Sequence, residues 1–227
     1  MSDDVAKEAA GKAAADLVNN GMFVGLGTGS TAAYFIKALG ERCRDGLEVQ
    51  AVATSKASFL LAQDECIPMV EDLSEIVMLD ITVDGADEID KKKRMIKGGG
   101  GALLREKIIA SMSQEMIVVV DEAKLVNHLG GVPLPVEIIP FAYQATIDKI
   151  ERLGYSGSLR MSKGKRPYVT ENHNYIFDIR FSLPCLDPES DEHALKGIPG
   201  VVETGFFLNL AGRVIVGYKD GKVKILS

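Results

Sequence analysis

The first half of the chain alternates amphipathic stretches with short runs that are apolar without interruption. Residues 4–19 (DVAKEAAGKAAADLVN) predict an Ala-rich helix that stops at Asn20-Gly21. The apolar run 22–26 predicts a buried strand, 27–31 a loop, and 32–39 a second helix closed by Gly40. A strand over 48–53 ends at Thr54-Ser55 and is followed by a helix over 56–65. Residues 76–83 (IVMLDITV) predict another strand, and 102–113 another helix. The run 116–120 is so apolar that both its faces must be covered. Strands alternating with helices predict an α/β fold, a parallel sheet with helices on both sides.

The pattern changes at Val132-Pro133-Leu134-Pro135-Val136, which is Pro-punctuated, extended and placed like a domain junction. Beyond it come a strand (136–139), a helix (141–153), strand-like stretches (157–162, 167–170, 174–180), a helix (188–196) and a strand from 201. This is a smaller α+β block, about the size of a ferredoxin-like unit. The tail reads as a hairpin with an Asp220-Gly221 turn that returns to the first domain. The expected division is therefore 1–131 plus 205–227 for the larger domain and 132–204 for the smaller one.

Composition narrows the function classes. Of 227 residues, 46% are apolar and 26% charged, with a net charge of −6, a profile for a soluble protein with a substantial core. An acidic balance argues against nucleic-acid binding, which needs basic surface to neutralise phosphates. Lys91-Lys92-Lys93-Arg94 reads as a solvated turn. No apolar run approaches the ~18 residues of a membrane span. The acidic start Met1-Ser2-Asp3-Asp4 is unlike an export signal. Cys43, Cys66 and Cys185 are too scattered for a disulfide framework, so a reducing cytoplasm is expected. His128, His173 and His193 lack zinc-ligand spacing, and nothing demands a metal.

Four motifs carry candidate chemistry. Gly25-Leu26-Gly27-Thr28-Gly29-Ser30-Thr31 joins a strand to a helix, where backbone amides and the helix start suit a phosphate. The plainer reading is a tight turn with a hydroxyl helix cap. A Walker loop is excluded because no Lys ends the motif. A dinucleotide site is disfavoured by Ser30 in place of a third glycine, and by Thr54-Ser55 where an acid would be needed. Asp84-Gly85-Ala86-Asp87-Glu88-Ile89-Asp90 follows a buried strand, so it lies on the usual ligand side of such a sheet. Gly85 and Ala86 are small enough for a ligand to approach, and the carboxylates can accept hydroxyls or move protons. A solvated acidic turn is the alternative.

Lys97-Gly98-Gly99-Gly100-Gly101 is the third motif. Consecutive glycines are entropically costly to order. They make sense where successive amides face an anion or oxyanion. Behind them Leu103, Leu104, Ile108, Ile109 and Met112 make the helix apolar nearly all round. Arg105, Glu106 and Lys107 point about 100° apart, so at least one must enter a packed or cleft environment. Glu106, on the side of Ala102 and Ala110, has room beside it. It suits either a general base of raised pKa or an ion pair with a neighbouring helix, and helix geometry leaves both open. The fourth motif, Val120-Asp121-Glu122-Ala123-Lys124, again ends a buried strand and puts Lys124 on the same edge.

Taken in order, GLGTGSTA, DGADEID, KGGGGALLREKIIA, VDEAK, LPVEIIPFA and IPGVVETGFF resemble ribose-5-phosphate isomerase of the A type across most of the chain. The resemblance implies a Rossmann-like domain plus a smaller α+β domain, assembled as a homodimer or higher homo-oligomer. It implies interconversion of ribose 5-phosphate and ribulose 5-phosphate without metal or organic cofactor, in the non-oxidative branch of the pentose phosphate pathway. Carried over, Glu106 moves the proton between C2 and C1, and Asp84 and Asp87 handle ring-opening and hydroxyl protons. Lys97 with Gly98, Gly99 and Gly100 faces the enediolate oxygens. Thr28, Gly29, Ser30, Thr31, Gly85, Ala86 and Lys124 bind substrate, with Lys7 a weaker phosphate candidate. The family often has Ala at Gly101 and a hydroxyl residue at Leu104; the first departure should loosen the loop and the second should alter packing behind the helix.

Three other readings compete. A non-catalytic sugar-phosphate sensor should carry a basic DNA-binding helix pair and has no need of Glu106. An amino-sugar-phosphate deaminase calls for a histidine near the motifs. A nucleotide-dependent oxidoreductase conflicts with Ser30 and Thr54-Ser55.

Overall fold

The computed structural model describes residues 2–70 and 72–227; Met1, the first residue of the acidic start, and Glu71 lie outside them. The chain forms two compact units. Unit 1 comprises the residues up to Ala86, Arg105–Leu125 and Asn209–Ser227; unit 2 comprises Asp87–Leu104 and Val126–Leu208. The backbone thus passes from one to the other at 86/87, 104/105, 125/126 and 208/209.

Unit 1 contains α1 (Ser2–Ala15), β1 (Phe23–Leu26), α2 (Ser30–Arg44), β2 (Gln50–Ala53), α3 (Lys56–Asp64), β3 (Leu79–Asp84), most of α4 (Leu103–Ser111), β6 (Ser113–Asp121), β12 (Ala211–Gly217) and β13 (Val223–Leu226). Its six-stranded sheet has the order β13-β12-β6-β3-β1-β2, and every neighbouring pair is parallel except β12 with β13. Val24, Leu26, Ile81, Val83, Ile117, Val119 and Ile215 are buried on this sheet. Against them pack Phe35, Ile36 and Leu39 of α2 and the i, i+4 pair Ala10 and Ala14 of α1. The small side chains of α1 let α2 come close: a Cβ on Gly11 would stand 2.6 Å from the Phe35 backbone nitrogen.

Unit 2 contains β4 (Glu88–Ile89), β5 (Met95–Ile96), β7 (Leu134–Ile138), α5 (Tyr143–Arg152), β8 (Ser156–Leu159), β9 (Tyr175–Arg180), α6 (Pro188–Lys196), β10 (Val201–Thr204) and β11 (Phe206–Phe207). A four-stranded antiparallel sheet, β10-β7-β9-β8, and a small one, β11-β5-β4, share a core of Ile96, Leu134, Val136, Ile147, Ile150, Phe177, Ile179, Leu195 and Phe206.

Several elements differ from the sequence expectation. Helix α2 runs through Gly40 to Arg44. Gly40 marks close packing rather than a stop, since a Cβ there would lie 2.5 Å from the Glu65 Cβ. Strand β3 starts at Leu79, and Val77, within the apolar run that suggested strand, is 93% exposed. Ile108 on α4 is 47% exposed, so that helix is not covered all round. Residues 167–170 form no strand and contribute only an isolated bridge, Met161 to Pro167. The stretch around Pro135 is an inner strand of unit 2, flanked by β10 and β9. Pro135 faces Gly205, where β10 has already ended: its carbonyl accepts from the Gly205 amide at 2.7 Å, and the Gly205 carbonyl accepts at 2.8 Å from the Lys97 amide, so the missing proline N–H leaves no acceptor there unserved. Residues 87–104, expected with the larger domain, belong to unit 2 because β5 pairs with β11 and Ile96 enters the unit 2 core.

Candidate active site

Parallel strands bring their C-terminal ends to one edge, and in unit 1 three of the four motifs leave from it. Register places Leu26 beside Val83, Asp84 beside Val118, and Asp121 beside Gly217. The loops that follow β1, β3 and β6 therefore share this edge. They carry Thr28, Gly29, Ser30 and Thr31; Asp84, Gly85 and Ala86; and Lys124.

The first loop is set by close approach. Gly27 donates its amide to the Val83 carbonyl at 2.9 Å, and a Cβ on it would overlap the Asp84 carboxylate. The Asp84 side chain is fully buried, and its Oδ1 accepts from the amides of Thr28 at 3.1 Å and Gly85 at 2.7 Å. Thr28 turns its hydroxyl inward, 2.8 Å from both the Thr54 and Ser55 hydroxyls and 3.3 Å from that of Ser58. Ser58 donates on to the Gly27 carbonyl at 2.6 Å. Gly29, at φ 114, precedes the first turn of α2, which holds no acidic residue, and Gly29 and Ser30 are exposed. Those amides and the positive end of the helix dipole are thus available to an anion.

Glu106 is 4% exposed. Helix α4 runs against the strand direction: the Met112 carbonyl accepts from Leu79 at the start of β3, and Ile109 lies beside Thr82 in mid-strand. Glu106, almost one turn before Ile109, therefore lies toward the C-terminal end of β3. Of the three consecutive charged residues, it is the buried one, with Arg105 and Lys107 half-buried. Lys7, on α1, is half-buried as well, and Lys124 closes a short 3₁₀ turn capped by Asp121.

Unit 2 holds Asp87 and the glycine run. Asp87 accepts at Oδ2 from the Gly99 amide at 2.8 Å, and a Cβ on Gly99 would come within 2.9 Å of the same carboxylate. Lys97 is 3% exposed; its amide donates to Gly205, and its ammonium stands 5.3 Å over the Phe207 ring centroid. Gly98 and Gly101 have φ of 98° and 87°, the left-handed region that glycine enters freely. Gly101 is packed rather than loose, because a Cβ there would overlap the Tyr168 hydroxyl. Two residues that no local motif announces touch this run: Arg160 reaches the carbonyls of Gly98 and Gly99, and Tyr168 that of Gly100. They lie some sixty residues downstream, and only the fold brings them there. Among the described residues no group of three His, Cys, Asp or Glu is gathered as around a metal ion, and no helix is long and apolar enough to cross a membrane.

The sequence profile of ribose 5-phosphate isomerase A (phosphoriboisomerase A) matches residues 50–221. The chain belongs to the ribose 5-phosphate isomerase A family. A relative from Protochlamydia amoebophila, ribose-5-phosphate isomerase A, is 54% identical over 98% of this chain and 95% of its own. The solved ribose 5-phosphate isomerase A of Methanocaldococcus jannaschii is 42% identical and covers 100% of both chains with a TM-score of 0.92. A D-ribose-5-phosphate isomerase solved in complex with phospho-erythronic acid is 43% identical, with a TM-score of 0.92 over 97% of each chain. Membership spans both units, and the glycine run with its flanking Lys97 and Glu106 falls inside the matched residues.

Proposed function

We propose that this chain interconverts D-ribose 5-phosphate and D-ribulose 5-phosphate by proton transfer through an enediolate. In this reading the opened aldose presents its C2 hydrogen to Glu106. The carboxylate removes that proton, and the electron pair forms the C1–C2 double bond while negative charge collects on the C1 oxygen. Glu106 then returns the proton to C1. The C2 hydroxyl gives up its proton as its oxygen becomes the carbonyl, and the C1 oxygen gains one. Asp84 and Asp87 exchange the hydroxyl and ring-opening protons. Lys97 and the Gly100 amide of the glycine run stabilise the negative oxygen, the kind of preorganised donor that is worth most away from water. Gly29, Ser30 and Thr31 at the start of α2, with Lys124 and Lys7, hold the phosphate.

The observation that carries the reading is Glu106: a carboxylate 4% exposed, in the first turn of α4. The relative bound to phospho-erythronic acid supports the substrate class, because a carboxylate beside a hydroxylated carbon imitates a planar enediolate. That compound should inhibit this chain competitively. We also infer that unit 2 is ferredoxin-like, since its order β7-α5-β8-β9-α6-β10 is a split βαβ pattern. A cytoplasmic homodimer is the assembly that accords with the family.

The deciding experiment sets wild type beside Glu106→Gln in a ribose 5-phosphate isomerisation assay. Wild type should convert the substrate at a rate EDTA does not alter, and the variant should lose about 10²- to 10⁴-fold in kcat. Saturable binding without conversion by wild type would return the chain to the sensor reading.

A further inference from the structure

The glycine run of unit 2 is held from its carbonyl side. The Arg160 guanidinium uses one edge to pair with Asp178, at 2.8 Å from Nε and 2.5 Å from Nη2. Its Nη1 donates to the Gly98 carbonyl at 3.0 Å and the Gly99 carbonyl at 3.1 Å. Tyr168 lies beside it, ring centroid 5.8 Å from Cζ, and donates its hydroxyl to the Gly100 carbonyl at 3.3 Å. The pair of charges is largely sheltered, with side-chain exposures of 17% and 18%. The segment that carries Tyr168 is also tied down at its far end, where the buried Glu137 accepts from Thr170, Asn172 and Asn174. No peptide among the described residues is cis. In a trans peptide the N–H points opposite to the C=O. Gripping the Gly98 and Gly99 oxygens therefore turns the amides of Gly99 and Gly100 the other way. The Gly99 amide meets Asp87, and Gly100 is exposed at the crest of the turn.

We propose that Arg160, oriented by Asp178, is a positioning residue for the isomerisation: it fixes the peptide planes of residues 98–100 so that the Gly100 amide meets the developing enediolate oxygen. This rests on the reading that the glycine run faces that oxygen. A cation on the carbonyl oxygens also polarises each peptide and makes its N–H a stronger donor. A lysine cannot replace it, because one ammonium lacks the planar fork needed to meet a carboxylate and two carbonyls together. Tyr168 acts in the same direction on Gly100, more weakly, through a neutral bond.

The experiment compares steady-state kinetics of wild type, Arg160→Ala, Arg160→Lys and Tyr168→Phe on ribose 5-phosphate, with melting curves alongside. Arg160→Ala should lose about 100-fold in kcat, the effect of one misaimed oxyanion donor. Its KM should stay within about threefold, the signature of an interaction made in the transition state. Tens of millimolar guanidinium ion should restore about tenfold to Arg160→Ala and nothing to wild type or Arg160→Lys. If Arg160→Ala is unfolded, Arg160→Met combined with Asp178→Leu removes the whole charge pair and takes its place in the kcat and KM comparison. The proposal is overturned if the folded variant keeps kcat within about threefold, or if its loss sits wholly in KM. Wild type that fails to isomerise the sugar sinks the functional reading instead, so the two failures are distinct.

Discussion

At the scale of single residues, the direction a side chain faces decides more than its type. Thr28 belongs to a loop whose composition suggests ligand contact, yet its hydroxyl joins Thr54, Ser55 and Ser58 in a cluster beneath the loop. Thr28→Val should cost about 1–3 kcal/mol, because hydroxyls left in the cluster lose a partner. A urea titration would read this as a lower midpoint, and a rise in KM should accompany it as the start of α2 loosens. The three thiols differ in the same way. Cys185 is buried and donates to Asp191 at 3.0 Å, and burial together with that carboxylate pushes its pKa well above the ordinary thiol value. Its thiolate is therefore scarce at pH 8, whereas Cys66 is exposed. Ellman's reagent should modify Cys66 in the native protein and reach Cys185 only after denaturation. The motifs could not reveal that the Thr28 hydroxyl joins neighbouring hydroxyls or that Asp87 holds the Gly99 amide, because that depends on where adjacent loops stand.

At the scale of elements, β6 is legible because its apolar run is buried from Met116 onward, and α6 because Asp187 and Pro188 mark its start. The pattern misleads where a residue type has two meanings. Glycine stops many helices, but Gly40 sits inside α2 to admit Glu65. Ala normally gains about 1 kcal/mol over Gly in a helix interior. Gly40→Ala should nonetheless lower the melting temperature by several degrees, since its Cβ would stand 2.5 Å from the Glu65 Cβ and 2.9 Å from the Glu65 carbonyl oxygen. A rise in melting temperature would show that Glu65 yields easily. Proline has the same ambiguity: Pro133 and Pro135 suggest a boundary, and Pro135 instead occupies an inner strand at a point where no neighbour requires its missing amide. The short strands β4, β5 and β11 were illegible because two-residue pairings leave no periodicity to detect.

For the molecule as a whole, each unit has its own core, and the core of unit 2 turns on Phe177, 2% exposed between Val136 and Leu159. Phe177→Ala should cost about 3–5 kcal/mol. Amide hydrogen exchange should then quicken throughout β7–β10 more than in β1 or β3, and activity should fall with it because Lys97 and Arg160 belong to that unit. The parallel sheet is legible from alternating strand and helix signals, and the family from the ordered motifs. The allocation of 87–104 to unit 2 is not, because it follows from the pairing of β5 with β11, more than a hundred residues apart in sequence.

The four backbone passages between units bear on how such a protein can be taken apart. One of them falls within the acidic motif and another within α4. Neither unit is a continuous stretch of gene, and excising 126–208 would strand β4, β5 and the glycines with the wrong half. Dissection by a single truncation is closed to this architecture, and a shuffled or transplanted version must carry both pieces of unit 2 together.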